Sequence, residues 1–210
     1  MTPLEVYEAA LRRAGDGAQA PLLAVTDCGQ SRSFDVSRWC AGAIDGDAGI
    51  VARCIGPTID LGCGPGRLAA AVSARGIPAL GVDVSPVAVR LSHARGALAL
   101  RRNVFDRLPG ERRWAHVLLA DGNIGIGGDP VRLLRRCREL LADHGTVLVE
   151  TDPAGAVTGP VRLLLPGAST PLPWAYVAAD ALPDYGSASG LRTTESWREA
   201  DRWFTLLCAA

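Results

Sequence analysis

Two hundred and ten residues, at roughly 100–200 residues per domain, make one domain with room for a small cap and exclude two catalytic domains. The content is 48% apolar and 21% charged, and 22 basic residues balance 22 acidic ones, which excludes a disordered chain and any bulk attraction to nucleic acid or an anionic membrane. Every basic residue is Arg, so chemistry that needs a protein amine, from Schiff bases to the P-loop lysine, is excluded too. Six widely spaced cysteines (28, 40, 54, 63, 137, 208) form no C-x-x-C pair and read as buried free thiols. No apolar run approaches the roughly 18 residues of a membrane helix. Met1 to Glu8 lacks the pattern of a secretory signal, so a soluble, cytoplasmic protein is expected.

Thr2-Pro3-Leu4-Glu5 reads as a capping box, and Leu4, Tyr7, Leu11 and Ala14 follow on one face of a short amphipathic helix. Residues 15 to 46 are interrupted by Gly15, Gly17, Pro21, Gly29, Gly42 and Gly46 and read as loop, with Trp39 inside it. Asp45 is placed to cap a helix ending near Cys54. Residues 1–55 are thus expected to be a small helical cap, and 56–210 the core of the same domain. From Thr58 short apolar runs alternate with helical stretches, as in a parallel sheet wrapped by helices. Strands are expected at Thr58–Leu61, Ala79–Val82, Leu98–Leu100, His116–Ala120 and Thr146–Val149. Helices are expected over Gly66–Arg75, from Ser85 to about Arg95, and from Pro130 to about Ala142. Residues 153–173 contain five prolines and read as loop, apart from a candidate strand at Val161–Leu165. Leu191–Trp197 and Arg202–Cys208 pattern as a closing antiparallel hairpin.

The first core strand runs into Asp60-Leu61-Gly62-Cys63-Gly64-Pro65-Gly66-Arg67. Three glycines permit positive φ and let a ligand touch bare backbone, while free N–H groups at a helix start would favour an anionic group. Asp83, followed by Val84, lies 21 residues after Gly62 at the end of the second strand, where a carboxylate can accept both hydroxyl protons of a ribose. A nucleoside is therefore indicated. The dinucleotide pattern G-x-G-x-x-G fails because Arg67 stands where its last glycine belongs, and no Walker loop is present. Asp60, just before the turn, suits an ammonium group, so the expected nucleoside is zwitterionic.

With Asp60, Gly62, Gly64 and Gly66 in this order, the chain resembles the class I S-adenosylmethionine-dependent methyltransferases over about residues 36–208. The resemblance implies an α/β, Rossmann-like, seven-stranded and mostly parallel sheet with helices on both faces. It implies S-adenosylmethionine as cofactor, with its methionine part at Gly62, Cys63, Gly64 and Gly66 and its ribose at Asp83 and Val84. Adenine would be flanked by Asn103, Val104, Phe105 and Asp106, with Asn103 and Asp106 as alternatives for the polar contact. The segment Asp121 to Gly128, with four glycines, would floor the reaction. Asp121, Asn123 and Glu150 are its candidate catalytic residues, and an amine or thiol acceptor would need no base at all. The segment does not read D/N-P-P-Y/F, which takes support from nucleobase methylation. The chain is similar to the small-molecule methyltransferases of bacterial secondary metabolism.

Trp39 and Trp174 are candidates to roof a substrate. Asp121, Glu150 and Asp152 fall where catechol-type relatives hold a divalent ion, but the Asn expected after the strand-five acid is missing, so no metal is expected. His93, His116 and His144 lie away from the strand ends and read as structural, and Arg132, Arg135, Arg136 and Arg138 read as a solvated helix face. The expected function is metal-independent methyl transfer to an O or N atom of a small molecule, with no nucleic-acid or membrane partner. The alternatives are a non-catalytic S-adenosylmethionine- or S-adenosylhomocysteine-binding partner subunit and another nucleotide-dependent α/β enzyme, against which Arg67 argues.

Overall fold

The computed structural model describes residues 1–27 and 29–210. Helix α1 (Pro3–Gly15) starts behind the expected capping box, in which Thr2 Oγ1 accepts from the Glu5 N–H and the Glu5 carboxylate accepts from the Thr2 N–H. The next stretch departs from expectation. It holds strands β1 (Pro21–Thr26) and β2 (Ser31–Asp35) and helix α2 (Val36–Cys40), with α3 (Asp47–Arg53) following. In β1, Leu22, Ala24 and Thr26 point inward while Leu23 is left 47% exposed. An apolar residue on the solvent face erases the period-two signal that would mark a strand.

The core follows the expected order. Strands β3 (Thr58–Leu61), β4 (Ala79–Asp83), β5 (Ala99–Arg101), β6 (Trp114–Leu119) and β7 (Leu141–Thr151) alternate with helices α4 (Arg67–Ser73), α5 (Pro86–Ala94) and α6 (Pro130–Leu140). After β8 (Gly159–Leu164), β9 (Leu172–Tyr176) and α7 (Leu182–Ala188), the chain closes with the hairpin β10 (Leu191–Glu199) and β11 (Arg202–Ala209). The main sheet has seven strands in the order β10-β11-β7-β6-β3-β4-β5. Its β5-to-β7 portion is parallel, while β11 runs antiparallel to both β7 and β10. Val117 and Leu119 of β6 face a core shared with Leu133, Leu134 and Leu140 of α6; Leu118 faces the opposite core with Ile50 of α3 and Leu68 of α4. Burial on both faces is why these strands are continuous apolar runs, and each such buried side chain contributes about 1.5–3 kcal/mol.

A second sheet, in the order β2-β1-β8-β9, forms the cap with α1 and α2. The cap is therefore not the segment 1–55 alone and not only helical. Half of its strands come from residues 159–176, and β1 joins them through Val25 opposite Leu164. The expected strand at Val161–Leu165 is β8, whereas β9 lay hidden behind Pro171 and Pro173. A sheet edge tolerates proline because the missing N–H would face outward. Of the cysteines, 40, 54, 63, 137 and 208 are free thiols, the middle three buried; the expectation for Cys28 lies outside the described residues. Among the described residues, no helix is long and apolar enough to cross a membrane.

Candidate active site

A cavity of about 360 Å³ lies where the ends of β3, β4 and β6 meet the cap. Its floor is the turn after β3. Gly62, Gly64 and Gly66 have φ of 73°, 52° and 78°, so a side chain at any of them would be strained. A Cβ on Gly62 would also sit 2.8 Å from the Ile126 side chain, and one on Gly66 2.5 Å from Ser92 Oγ. The turn is built for close approach but not as an anion nest. The N–H groups of Gly62 and Cys63 donate to Val82 O (2.8 and 3.1 Å), that of Gly66 to Cys63 O (2.9 Å), and that of Gly64 to Asp83 Oδ2 (3.0 Å). The turn's own donors, from Gly62 to Gly66, are thus spent within the protein.

Asp83 is held by two backbone donors, Gly64 through Oδ2 and Ser85 through Oδ1 (2.8 Å). Each carboxylate oxygen keeps a lone pair for a ligand hydroxyl. Burial pushes its pKa above the ordinary value against those hydrogen bonds. Asp60 is only 4% exposed and lines the same cavity. Burial and the neighbouring Asp121 carboxylate raise its pKa to about 7, with Arg67 opposing. The Arg67 guanidinium pairs instead with Asp47 and Asp121. A buried carboxylate beside a cavity, left without a cation of its own, fits a ligand that brings an ammonium group.

Residues 59–149 match the family model described as a methyltransferase domain. The match runs through the core from β3 to β7. No curated protein matches the chain in sequence. Among solved structures, an S-adenosylmethionine-dependent methyltransferase from Bacteroides fragilis, crystallised with S-adenosyl-L-homocysteine, aligns with a TM-score of 0.79 at 20% identity, over 97% of this chain and 94% of that one. The Burkholderia thailandensis 1,6-didemethyltoxoflavin-N1-methyltransferase aligns with a TM-score of 0.62 at 17% identity, over 78% of this chain and 76% of that one. An O-methyltransferase from neocarzinostatin biosynthesis, bound to S-adenosyl-L-homocysteine and 1,4-dihydroxy-2-naphthoic acid, gives 0.60 at 20% identity over 78% and 53%. The strand order and closing hairpin are those of the class I methyltransferase fold.

Asn103, Val104 and Phe105 line the cavity with Val84, while the Asp106 side chain is exposed and does not. Of the two alternatives for the adenine contact, Asn103 is the one at the cavity. Its Oδ1 accepts from the Phe105 N–H at 3.0 Å. Arg136, expected on a solvated face, is buried and clamps this loop by donating to Val104 O (3.0 Å) and Asp106 O (2.7 Å), and Arg132 stacks over Phe105 at 4.1 Å. Buried guanidinium donors on loop carbonyls are a tertiary feature that helical spacing does not reveal.

Asp121 and Asn123 also line the cavity, but both are engaged. Asp121 pairs with Arg67 and, at 3.4 Å, with Arg202. Asn123 Nδ2 donates to Leu61 O (3.0 Å) and Gly62 O (2.8 Å), bracing the glycine turn. Glu150 does not reach the cavity. It takes two bonds from Arg202 (2.8 and 2.7 Å) and the Asp121 N–H at 2.6 Å. Asp152 is bonded by Arg32 at 2.9 and 2.5 Å. Among the described residues, no group of three or more His, Cys, Asp or Glu is placed to hold a metal ion.

Trp39 and Trp174, the candidate roof residues, both line the cavity. Sequence reasoning missed Tyr7, Leu22, Phe34 and Leu163, which line it with them. Tyr7 had a signal: a polar-tipped ring on the apolar face of α1. It stands edge-on to Trp39 with ring centres 6.1 Å apart. The histidines are elsewhere. His116 accepts from the Ile55 N–H at 3.2 Å and bonds Thr146 at 2.8 Å, His93 bonds Ala99 O at 2.9 Å, and His144 is exposed.

Proposed function

We propose that this methyltransferase moves a methyl group from S-adenosylmethionine to an O or N atom of a small molecule, without a metal ion. The reading is carried by one observation: Asp60, the glycine turn and Asp83 share a single cavity under an aromatic cap. Bound there, S-adenosylmethionine supplies a methyl group already activated on a sulfonium. Asp60 pairs with the ammonium, Asp83 accepts from the ribose hydroxyls, and Asn103, Val104 and Phe105 flank the adenine. The floor from Asp121 to Gly128 and the cap align the acceptor and keep water out. Such positioning is worth about 7–11 kcal/mol of barrier.

Independence from metal is supported by Asp121, Glu150 and Asp152 each being bonded to a guanidinium. Similar structures crystallised with 1,6-didemethyltoxoflavin and 1,4-dihydroxy-2-naphthoic acid support a small acceptor, and the neocarzinostatin neighbour supports a place in secondary metabolism. The test is Asp83→Ala titrated with S-adenosylmethionine by calorimetry. Binding is expected to vanish, and unchanged affinity removes the ribose assignment. Because Asp121 and Glu150 are both ion-paired, a non-catalytic binder is the second reading. Tight cofactor binding with no methyl transfer to any of a broad acceptor panel would select it.

A further inference from the structure

The cap half of the cavity has a chemistry of its own. It is walled by Tyr7, Phe34, Trp39 and Trp174 with Leu22 and Leu163, and no Asp, Glu, His, Arg or Cys of the cap lines it among the described residues. Four aromatic side chains favour a flat, apolar ligand. A charged group placed against them would lose its hydration without a partner. The strand-end half carries three lining carboxylates, Asp60, Asp83 and Asp121, against one guanidinium, Arg67. Arg67 is already paired with Asp47 and Asp121, so no lining cation is left to receive an incoming oxyanion or thiolate, and the site favours an acceptor that arrives neutral. With Asp60 and Asp83 taken up by the cofactor as proposed, neither half offers a free base: Asp121 is ion-paired, Glu150 lies outside the cavity, and the Tyr7 phenol is held protonated by burial.

We infer that the acceptor is an uncharged, flat aromatic molecule methylated on a neutral nitrogen, an arylamine or ring nitrogen whose lone pair is free without help from the protein. This rests on the proposed methyl transfer. The nitrogen lone pair forms the new bond to the methyl carbon as the carbon–sulfur bond breaks, its electron pair staying on sulfur. The positive charge passes to nitrogen, which then releases its proton to water.

The test uses the full chain and four matched probes: naphthylamine, naphthol, naphthalenethiol and naphthoate. Binding is read by quenching of tryptophan fluorescence with S-adenosylhomocysteine present, and turnover by mass spectrometry with S-adenosylmethionine. Naphthylamine is expected to quench and to gain one methyl group on nitrogen. Naphthol should turn over at least about a hundredfold more slowly, the factor that a missing general base costs. Naphthoate should bind least. Naphthol or naphthalenethiol reacting faster than the amine, or naphthoate binding more tightly, overturns the inference. A separate calorimetric titration with S-adenosylmethionine keeps the two levels apart. If it is blank, the methyl-transfer reading fails; if the cofactor binds but naphthylamine neither quenches nor reacts, only the acceptor assignment falls.

Discussion

At the scale of single residues, Asp60 is the most informative side chain. Its pKa of about 7 follows from burial and from Asp121 and Asp83 nearby, against the pull of Arg67. Because the folded value lies above the ordinary 3.8, ionising Asp60 works against the fold. Its protonated form favours the native state below pH 3.8, and that contribution is lost as pH rises toward about 7. A ligand ammonium reverses the balance by pairing with the charged form. Cofactor affinity is therefore expected to fall by about tenfold per unit below pH 7, and to fall again above roughly pH 8 as the ligand's own ammonium loses its proton. Calorimetry over about pH 5.5–8.5 checks this, and Asp60→Asn should flatten the acid limb. An acid-side inflection that survives the substitution would assign the titration to another group.

Between elements, packing and charge decide which residues a position accepts. The 3-10 helix Asn123–Gly128 lies under β9, and a Cβ at Gly125 would stand 2.2 Å from Ala175 O and 2.4 Å from Trp174 Nε1. Gly125→Ala is expected to destabilise the fold by about 1–3 kcal/mol, as overpacking does, and to move the Trp174 emission; urea unfolding with fluorescence detection measures both. Beneath the turn, Arg202 of β11 joins Asp47 of α3 (2.8 Å), Asp121 and Glu150 of β7 (2.7 Å), with its own side chain 5% exposed. Arg202→Gln leaves buried carboxylates without their cation, and a loss of about 3–5 kcal/mol is expected from the same measurement. A loss under 1 kcal/mol, roughly the value of a surface pair, would show that Arg67 alone neutralises the cluster.

For the whole molecule, the consequence of interest is a cap tied to the core by few polar contacts. Arg32 of β2 reaches Asp152 just beyond β7 and stacks over Tyr176 at 4.6 Å, while Arg95, at the end of α5, donates to Cys40 O at 2.6 Å. Asp152→Asn weakens the first tie without emptying its site. Hydrogen exchange in β1 and β2 is expected to rise while the central strands β3, β6 and β7 keep their protection, since local opening follows local contacts. Equal acceleration in both regions would show that cap and core open as one unit. Acceptor turnover should fall with the looser cap, because the acceptor half of the cavity is largely cap.

The parallel core, its glycine turn and Asp83 were legible in the sequence because each is a local pattern: apolar runs, turn residues and a fixed offset along one βαβ unit. The likeness of residues 59–149 to methyltransferase domains is carried by the same stretch. The cap was not legible, because β1 bears apolar residues on both faces and β8 and β9 reach it from more than a hundred residues away, about the separation at which no local period survives. Nor could spacing show that Asp83 and neighbouring carbonyls occupy the turn's N–H groups, that Arg202 holds Glu150 out of the cavity, or that Tyr7 and Phe34 join the two foreseen tryptophans. Which groups stay free for a ligand depends on which are consumed by partners distant in the chain, and only the folded arrangement decides that.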